Sequence, residues 1–451
     1  MFFVTLLYTF LLFEPELITL NITPVVRDVI VEDINHDSLK DLVLFISEED
    51  EYNKSLISFY QQYETPRFSN KYSTNTQISE PCSVIFFTKI ENKKNFLVIA
   101  NSESLHIYKL ETDGILREQS ISYPNTFSYN AKEPVVMRDM SYDLDNDGTD
   151  EWFIPTSRGI TIFKNRMPIS EIEFHVFHEI YSGNNMTLFY QFPVIFPIKN
   201  SKDNPKPVAF LGDKELVLAY GENWKETKKI KIERKNPEKW DSTYRLGDIN
   251  NDNFPDILFT ETQGTINLKT TIFLYISEGG FNYSAKPQFE YKIRGAISLP
   301  LLKDVNNNNR DDLILFNIPL GLTNFINFFL RGKLSVETKV FLSNENILPA
   351  KPDYRTTMLM DAPEGRDQIA YAVDDFSGDG ILDIAYGQSR NTIQVNVGLE
   401  ENILKTKQWT KVNVPAFGVI RTSNINNNKS KDIIIYRPTG ENKERVDIIL
   451  F

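Results

Sequence analysis

The chain has 451 residues, 41% hydrophobic and 24% charged, which is the ordinary balance of a soluble globular protein. Its net charge of −12 favours solubility and argues against a nucleic-acid partner. Aromatic residues reach 12% and favour half-buried strands over helices. The single cysteine, Cys82, excludes an intramolecular disulfide, and we expect it to be a small buried apolar residue.

The N-terminal residues 1–13, MFFVTLLYTFLLF, are apolar and uncharged but too few to span a bilayer as a helix. No Lys or Arg precedes Arg27, unlike the usual start of a secretory signal. Residues 1–15 are therefore interpreted as a leader or a first strand, and both alternatives stay open. Residues 16–451 are interpreted as one domain. No other stretch is apolar for long enough to cross a membrane, so we expect no transmembrane span.

A short acidic cluster recurs along the rest of the chain. Each copy has Asp, Asn or Ser at positions 1, 3 and 5 and Asp or Glu at position 9, and an apolar strand follows at once. The copies begin at Asp33, Asp143, Asp248, Asp304, Asp375 and Asn424.

The spacing of these copies predicts the architecture. The first two intervals are 110 and 105 residues, and the next three are 56, 71 and 49. Because the long intervals are about twice the short ones, each should contain a degenerate copy, and Phe86–Tyr108 and Ile195–Tyr220 keep the strand–turn–strand order without the acidic residues. Eight repeats of this length predict an all-β fold, a single β-propeller with eight four-stranded antiparallel blades. Seven blades is the alternative if one degenerate copy is not a blade.

The two ends of the chain predict how the ring closes. After the Asn424 cluster only the segments Asp432–Arg437 and Arg445–Phe451 remain, so the last unit lacks one strand. We predict that Glu16–Ile22 supplies this strand and closes the ring, which also protects the edge strands of the last blade.

The clusters are candidate calcium sites. Calcium takes six to eight oxygen ligands, and carboxylates at alternate positions of a tight turn converge on one point. The cluster with most carboxylates consists of Asp143, Asp145, Asp147 and Glu151. The other predicted ligands are Asp375, Ser377, Asp379 and Asp383; Asp33, Asn35, Asp37 and Asp41; Asp248, Asn250, Asp252 and Asp256; and, more weakly, Asp304, Asn306, Asn308 and Asp312. The copy at Asn424 has a single carboxylate, Asp432, and ordinary Asx turns are the alternative for every copy.

The recurring cluster resembles the FG-GAP and VCBS repeats of integrin α-subunit propellers and of many secreted repeat proteins. The best match is DFSGDGILDIAYG at Asp375–Gly387, where the acidic loop is followed by a strand and a Gly. The resemblance covers nearly the whole chain and implies structural calcium ions in the blade loops.

The resemblance also bears on function. We expect a non-catalytic, monomeric scaffold that is secreted, periplasmic or at the cell surface and binds a protein or glycan on one propeller face. The long segments Ser69–Glu80 and Ile169–Thr187 are candidate partner loops. No nucleophile elbow, phosphate loop or zinc motif occurs. The alternative function is a calcium-dependent polysaccharide lyase or hydrolase, which some propellers of this broad family are.

Overall fold

A computed structural model shows the predicted ring of β-sheets. It describes residues 14–48, 53–64, 67–90, 94–111, 114–131, 133–176, 178–182, 186–190, 192–198, 201–212, 214–232, 241–264, 268–297, 300–319, 322–344, 347–364, 368–398 and 407–451. Residues 1–13, for which a leader and a first strand were the two interpretations, lie outside the described residues.

Each of the eight blades contains four antiparallel strands, which follow one another in sequence from the central channel outwards, except that the outermost strand of blade 8 comes from the start of the described chain. Strand β1 (Glu16–Asn21) opens the described chain and belongs to the last blade. Blade 1 contains β2 (Val25–Glu32), β3 (Asp41–Ser47), β4 (Lys54–Phe59) and β5 (Thr74–Ile78). Blade 2 contains β6 (Val84–Ile90), β7 (Lys94–Ala100), β8 (Ser104–Glu111) and β9 (Gly114–Ser122), and β10 (Val135–Val136) lies parallel to β6. Blade 3 contains β11 (Ser141–Tyr142), β12 (Glu151–Thr156), β13 (Gly159–Lys164) and β14 (Met167–Glu173).

A separate two-stranded hairpin, β15 (His178–Ser182) and β16 (Met186–Tyr190), precedes the fourth blade. Blade 4 contains β17 (Val194–Pro197), β18 (Val208–Leu211), β19 (Glu215–Tyr220) and β20 (Glu226–Lys231), with a short 3₁₀ helix at Glu222–Trp224. Blade 5 contains β21 (Asp241–Gly247), β22 (Asp256–Gln263), β23 (Lys269–Tyr275) and β24 (Phe289–Arg294). The two degenerate copies predicted from the spacing are therefore blades 2 and 4.

The innermost strand of blade 6 is divided into β25 (Ala296–Ile297) and β26 (Leu301–Lys303), and both pair with β27 (Asp312–Ile318). Helix α1 (Leu322–Arg331) then precedes β28 (Lys333–Phe341) and β29 (Tyr354–Asp361). Blade 7 contains β30 (Tyr371–Asp374), β31 (Asp383–Ser389), β32 (Thr392–Val397) and β33 (Lys407–Asn413). Blade 8 contains β34 (Val419–Ser423), β35 (Asp432–Tyr436) and β36 (Arg445–Leu450).

The ring closes as predicted, through the first strand of the chain. Strand β1 pairs antiparallel with β36 in a register from Glu16 opposite Leu450 to Asn21 opposite Arg445. It is the outermost strand of blade 8, whose order is β34–β35–β36–β1 with β1 last. The last blade therefore joins the two ends of the described chain, and eight blades are confirmed.

The core consists of apolar layers between neighbouring blades. Within the described residues, eight clusters of buried side chains each combine two adjacent blades, and together they run around the whole ring. Strand β3 shows the cause: Leu42 and Leu44 pack against blade 8, whereas Val43 and Phe45 pack against blade 2. Because successive side chains of a strand point to opposite faces of the sheet, one apolar run serves both neighbours.

Two faces of the ring follow from this strand order. The loop face carries the connections between the first and second strands of each blade, and the turn face carries those between the second and third strands. The candidate partner loops are in part blade strands, since Ser69–Glu80 contains β5 and Ile169–Thr187 contains the end of β14. Across the described ranges, no helix combines the length and the apolar character needed to cross a bilayer.

Candidate metal centre in the third blade

All six acidic clusters form eight-residue loops on the loop face, and position 9 begins the second strand of its blade. The backbone turns sharply at position 4 in every loop, with φ between 57° and 76°. The residues there are His36, Asn146, Asn251, Asn307, Gly378 and Asn427. Asn and Gly adopt this left-handed conformation more easily than other residues, which accounts for the Asn-rich character of the loops.

In five of the six loops, the side chains at positions 1 and 5 accept hydrogen bonds from backbone N–H groups, and in the Asn424 loop only the position-5 side chain, Asn428, does so. In blade 5, the N–H groups of Asp252 and Asn253 donate to the two Asp248 oxygens at 3.1 and 3.0 Å. The N–H of Phe254 donates to Asp252 Oδ1 at 2.8 Å. The loops at Asp33, Asp143, Asp304 and Asp375 repeat these bonds. The loops are therefore Asx turns, as the alternative interpretation stated, and any metal would bind in addition to these bonds.

The acidic residue at position 9 ties the loop to the end of the third strand. In blade 5, Asp256 accepts hydrogen bonds from Ile249 N–H at 2.6 Å and from Ser277 N–H at 2.8 Å. Asp41, Asp312, Asp383 and Asp432 make the equivalent pair of bonds, and all five side chains are fully buried. Burial raises the pKa of Asp256 to about 8 and that of Asp383 to about 7, against the opposing effect of the backbone N–H groups. The acidic residue at position 9 therefore has a structural role in these five blades, as the acceptor of backbone hydrogen bonds.

Blade 3 differs from the other loops in its carboxylates. Asp143, Asp145 and Asp147 each bring a carboxylate oxygen to within 4.8 Å of the other two. In the part of the chain that the structure describes, this is the only group of three acidic, His or Cys side chains that meets this distance. The strongest of the predicted clusters is therefore the one that the fold gathers.

The fourth predicted ligand of blade 3, Glu151, has one oxygen that is not hydrogen-bonded. Its Oε2 accepts from Leu144 N–H at 2.9 Å, as the shorter Asp does in other blades. Its Oε1 is buried and accepts no hydrogen bond from the described residues. Burial, with the nearby charge of Asp145, raises the pKa of Glu151 to about 8. The longer side chain thus places a buried oxygen where its partner is an ammonium group 3.4 Å away and not a backbone N–H.

Lys164, which the sequence patterns did not single out, places its ammonium among these carboxylates. Its Nζ contacts Asp145 Oδ2 and lies 2.9 Å from Asp147 Oδ2 and 3.4 Å from Glu151 Oε1. Burial alone would lower the pKa of Lys164, but the hydrogen bonds to Asp145 and Asp147 raise it above its usual value. The sequence could have pointed to Lys164, because this residue ends the third strand of its blade and third strands end on the loop face, where the acidic loops lie.

The other predicted loops balance their charge with neutral groups. Asn35 and Asn250, at position 3, donate side-chain N–H groups to the position-5 carboxylates Asp37 and Asp252 at 3.0 and 3.1 Å. Ser377 donates its hydroxyl to Asp375 at 3.4 Å. In the blade 6 loop, which starts at Asp304, the buried Oδ1 of Asn306 accepts no hydrogen bond from described residues, and Asn308 takes the place of an Asp at position 5. In blades 1, 5 and 7 an amide or hydroxyl at position 3 therefore donates a hydrogen bond to a loop carboxylate, where blade 3 has the ammonium of Lys164.

Three of the loops are also joined to the preceding blade. In blades 6 and 8 the N–H of the position-8 residue donates to a backbone carbonyl of that blade, from Asp311 to Asp248 and from Lys431 to Asp375, each at 2.8 Å. Asp150 makes the same bond to Lys89 of the degenerate blade 2. These three pairs of blades are therefore linked by the same backbone bond, whether or not the preceding loop is acidic, whereas Pro255 at position 8 of the blade 5 loop has no N–H to donate.

The residues of blade 3 fit a hard divalent cation. Three clustered carboxylates and the buried Glu151 Oε1 are oxygen donors of the kind calcium prefers. The position-9 carboxylates of the other five loops already accept two backbone hydrogen bonds or more. Blade 3 is thus the candidate metal centre that the geometry favours.

Comparison with known proteins adds little to this description. No family model and no curated protein matches the chain. Among solved structures, the chain is similar to BBS1N in its complex with ARL6DN, soaked with lead, at 9% identity and a TM-score of 0.40, covering 96% of this chain and 94% of that one. It is also similar to the WD40 domain of SCAP from fission yeast, at 9% identity and a TM-score of 0.36, covering 97% and 98% of the two chains. The architecture described above follows from the strand pairing of this chain itself.

Proposed function

We propose that this propeller is a non-catalytic interaction scaffold whose third blade binds one calcium ion through Asp143, Asp145, Asp147 and Glu151. The observation that carries the metal proposal is the cluster of Asp143, Asp145 and Asp147, each with a carboxylate oxygen within 4.8 Å of the other two. The buried Glu151 Oε1 shares the Lys164 ammonium with this cluster, at 3.4 Å, and a divalent cation would replace that ammonium. The repeated 1-3-5-9 pattern at the same connection of six blades supports a divergent propeller of the FG-GAP and VCBS type.

The competing ammonium of Lys164 supports a location outside the cell or at its surface. Calcium can bind only if the Lys164 ammonium leaves the cluster. Breaking its ion pairs with the carboxylates costs free energy, which lowers the net affinity for calcium. Weak sites, with dissociation constants of about 10⁻⁴–10⁻³ M, are typical of extracellular modules and unsuited to the low calcium of the cytosol. A C-terminally tagged full-length chain should therefore be degraded when protease is added to intact cells. Complete protection on intact cells, with degradation after lysis, would contradict this location.

Calorimetry and thermal unfolding test the metal site. Calcium, and not magnesium, should bind with a stoichiometry of one and raise the melting temperature, since a ligand of the native state stabilises it by mass action. Replacing Lys164 with Met keeps the aliphatic stem, removes the competing ammonium and should raise the affinity about tenfold or more. Asp145→Asn should abolish binding, whereas Asp379→Asn in the blade 7 loop is the matched control and should not.

Two results would reject the single-site proposal. The absence of bound calcium in both the natural chain and Lys164→Met would leave blade 3 with an internal ion pair only. Several bound ions that survive Asp145→Asn would place calcium in the Asn- and Ser-containing loops instead.

The non-catalytic proposal is supported by two cations of the central channel. A lyase needs a basic group that is free to take a proton, but Arg138 and Arg421 both contact the buried Asp28, at 2.9 and 3.1 Å. Incubation with acidic polysaccharides in millimolar calcium should therefore give no unsaturated product, as followed by ultraviolet absorbance. Product that is lost on Arg421→Ala would favour the lyase alternative.

A further inference from the structure

Helix α1 is an insertion on the turn face of blade 6. The other blades make the connection between their second and third strands with eight residues or fewer, and in blade 3 and blade 7 only two residues separate these strands. In blade 6 the same connection contains the ten-residue helix Leu322–Arg331. Because β27 and β28 belong to one blade, the helix extends beyond the strand ends at the face opposite the acidic loops.

The C-terminal end of α1 presents three consecutive apolar side chains to solvent. Phe328 is 40% exposed, Phe329 64% and Leu330 80%, the largest exposure of any large apolar side chain in the described residues. The chain around this tip is anchored, because the N–H of Gly332 donates to Phe328 O at 3.2 Å and the N–H of Ala362 donates to Gly332 O at 2.8 Å. The apolar tip is therefore a fixed feature of the turn face.

The turn face carries exposed cations at the end of α1 and on the neighbouring blade. Arg331 ends the helix and is exposed. Lys269 and Arg294 lie opposite each other at the turn-face end of neighbouring blade 5, and both are exposed. Two acidic groups nearby are engaged, since Asp361 pairs with Lys333 and Glu364 pairs with Arg390. Arg331, Lys269 and Arg294 are thus exposed cations on the turn face of blades 5 and 6, where both of these carboxylates are paired, although the chain as a whole carries −12.

We propose that the α1 tip docks the propeller on an anionic lipid surface, with Phe328, Phe329 and Leu330 entering the headgroup region. Apolar side chains on a helix with flanking Arg and Lys are the combination that binds the interface of acidic membranes. Three exposed apolar side chains at the end of a helix can enter a layer of lipid headgroups, whereas a folded protein partner would need a pocket that matches them. A second copy of the chain is a poor occupant, because two basic faces would meet. The loop face, with its acidic loops, then points away from the lipid.

Vesicle flotation of the full-length chain tests this docking. At low salt the chain should float with vesicles that contain phosphatidylserine, and much less with vesicles of phosphatidylcholine alone or at high salt. The double substitution Phe329→Ser, Leu330→Ser should weaken binding by at least about tenfold. The matched control is Leu116→Ser, Met167→Ser, which changes exposed apolar side chains on the loop face and should leave binding unchanged.

A second variant tests the charge. Replacing both Lys269 and Arg294 with Ala should weaken binding to the acidic vesicles by about 25-fold, at about fivefold for each cation. The fold should not suffer, because the two like charges face each other across neighbouring strands. Unchanged far-ultraviolet circular dichroism and melting temperature would show that both variants are folded.

Three outcomes would overturn the proposal. One is the absence of flotation with acidic vesicles at low salt. Another is flotation that survives Phe329→Ser, Leu330→Ser, as binding through the apolar residues 1–13 would. The third is self-association, measured by light scattering without lipid, that this double substitution abolishes, because the tip would then be an interface between copies.

Discussion

The substitution Leu20→Ala in the closing strand β1 should destabilise the whole ring. Leu20 is 1% exposed and packs in the apolar layer between blade 8 and blade 1, together with Val446 and Ile448 of β36. The substitution removes three carbon atoms, so the transfer contribution is about 2.4 kcal/mol at about 0.8 kcal/mol for each buried methylene. The cavity that remains between two sheets raises the expected loss in the free energy of unfolding to about 3 kcal/mol or more.

Leu17 in the same strand is the matched control. It is 39% exposed, so Leu17→Ala leaves no sealed cavity and should cost about 1 kcal/mol or less. Urea unfolding followed by circular dichroism measures both variants, and their midpoints are comparable as long as the slope of the transition is unchanged. Equal losses for the two variants, or a loss below about 1 kcal/mol for Leu20→Ala, would refute the idea that β1 closes the ring by apolar packing.

Three further predictions concern buried polar groups and the thiol. Asp28→Asn should lower the free energy of unfolding at pH 7 by about 3 kcal/mol, because two arginines lose their buried partner. Burial raises the pKa of Asp28, but its arginine partners lower it further, to below the ordinary 3.8. The difference between variant and natural chain, read from urea curves, should therefore vanish as the pH falls through that lowered value. Asp383→Asn should cost about 1–3 kcal/mol in urea unfolding because an amide N–H₂ would face a backbone N–H, whereas Asp379→Asn keeps its acceptor oxygen and should cost about 0.5 kcal/mol or less. Burial raises the pKa of Cys82 to about 12, so an aromatic disulfide reagent should label the chain only in denaturant, and rapid labelling of the native chain would contradict its burial.

The blades were predictable because their determinants are local and repeated. A turn of Asn, Asp and Gly followed at once by a run such as Asp432–Tyr436 specifies a turn and a buried strand without reference to distant residues. The degenerate blades 2 and 4 lack the acidic turn but keep the period, so spacing located them. The closing strand followed from counting strands in the last repeat.

The chemistry of the loops was less predictable because it depends on contacts between distant residues. The bonds from Asp256 to Ser277 and from Lys164 to Asp145 form only after third strands reach the loop face. The sequence pattern predicts a metal ligand at position 9, whereas in the folded chain the carboxylate at this position accepts hydrogen bonds from buried N–H groups. Helix α1 was not predicted either, since six of its ten residues are Leu, Phe or Ile and an apolar run of this length is equally compatible with a strand.

The position of β1 also has a consequence for biosynthesis. Thr19 and its partner Asp447 are 428 residues apart, so a ribosome that adds about 5–20 residues each second completes β36 roughly 20–90 s after β1. During that interval seven blades can fold in order, while β1 has no partner strand and its apolar side chains stay exposed. A nascent chain of this protein therefore carries an exposed strand edge for most of its synthesis, and a chaperone that binds extended apolar segments would find its target near the N-terminus.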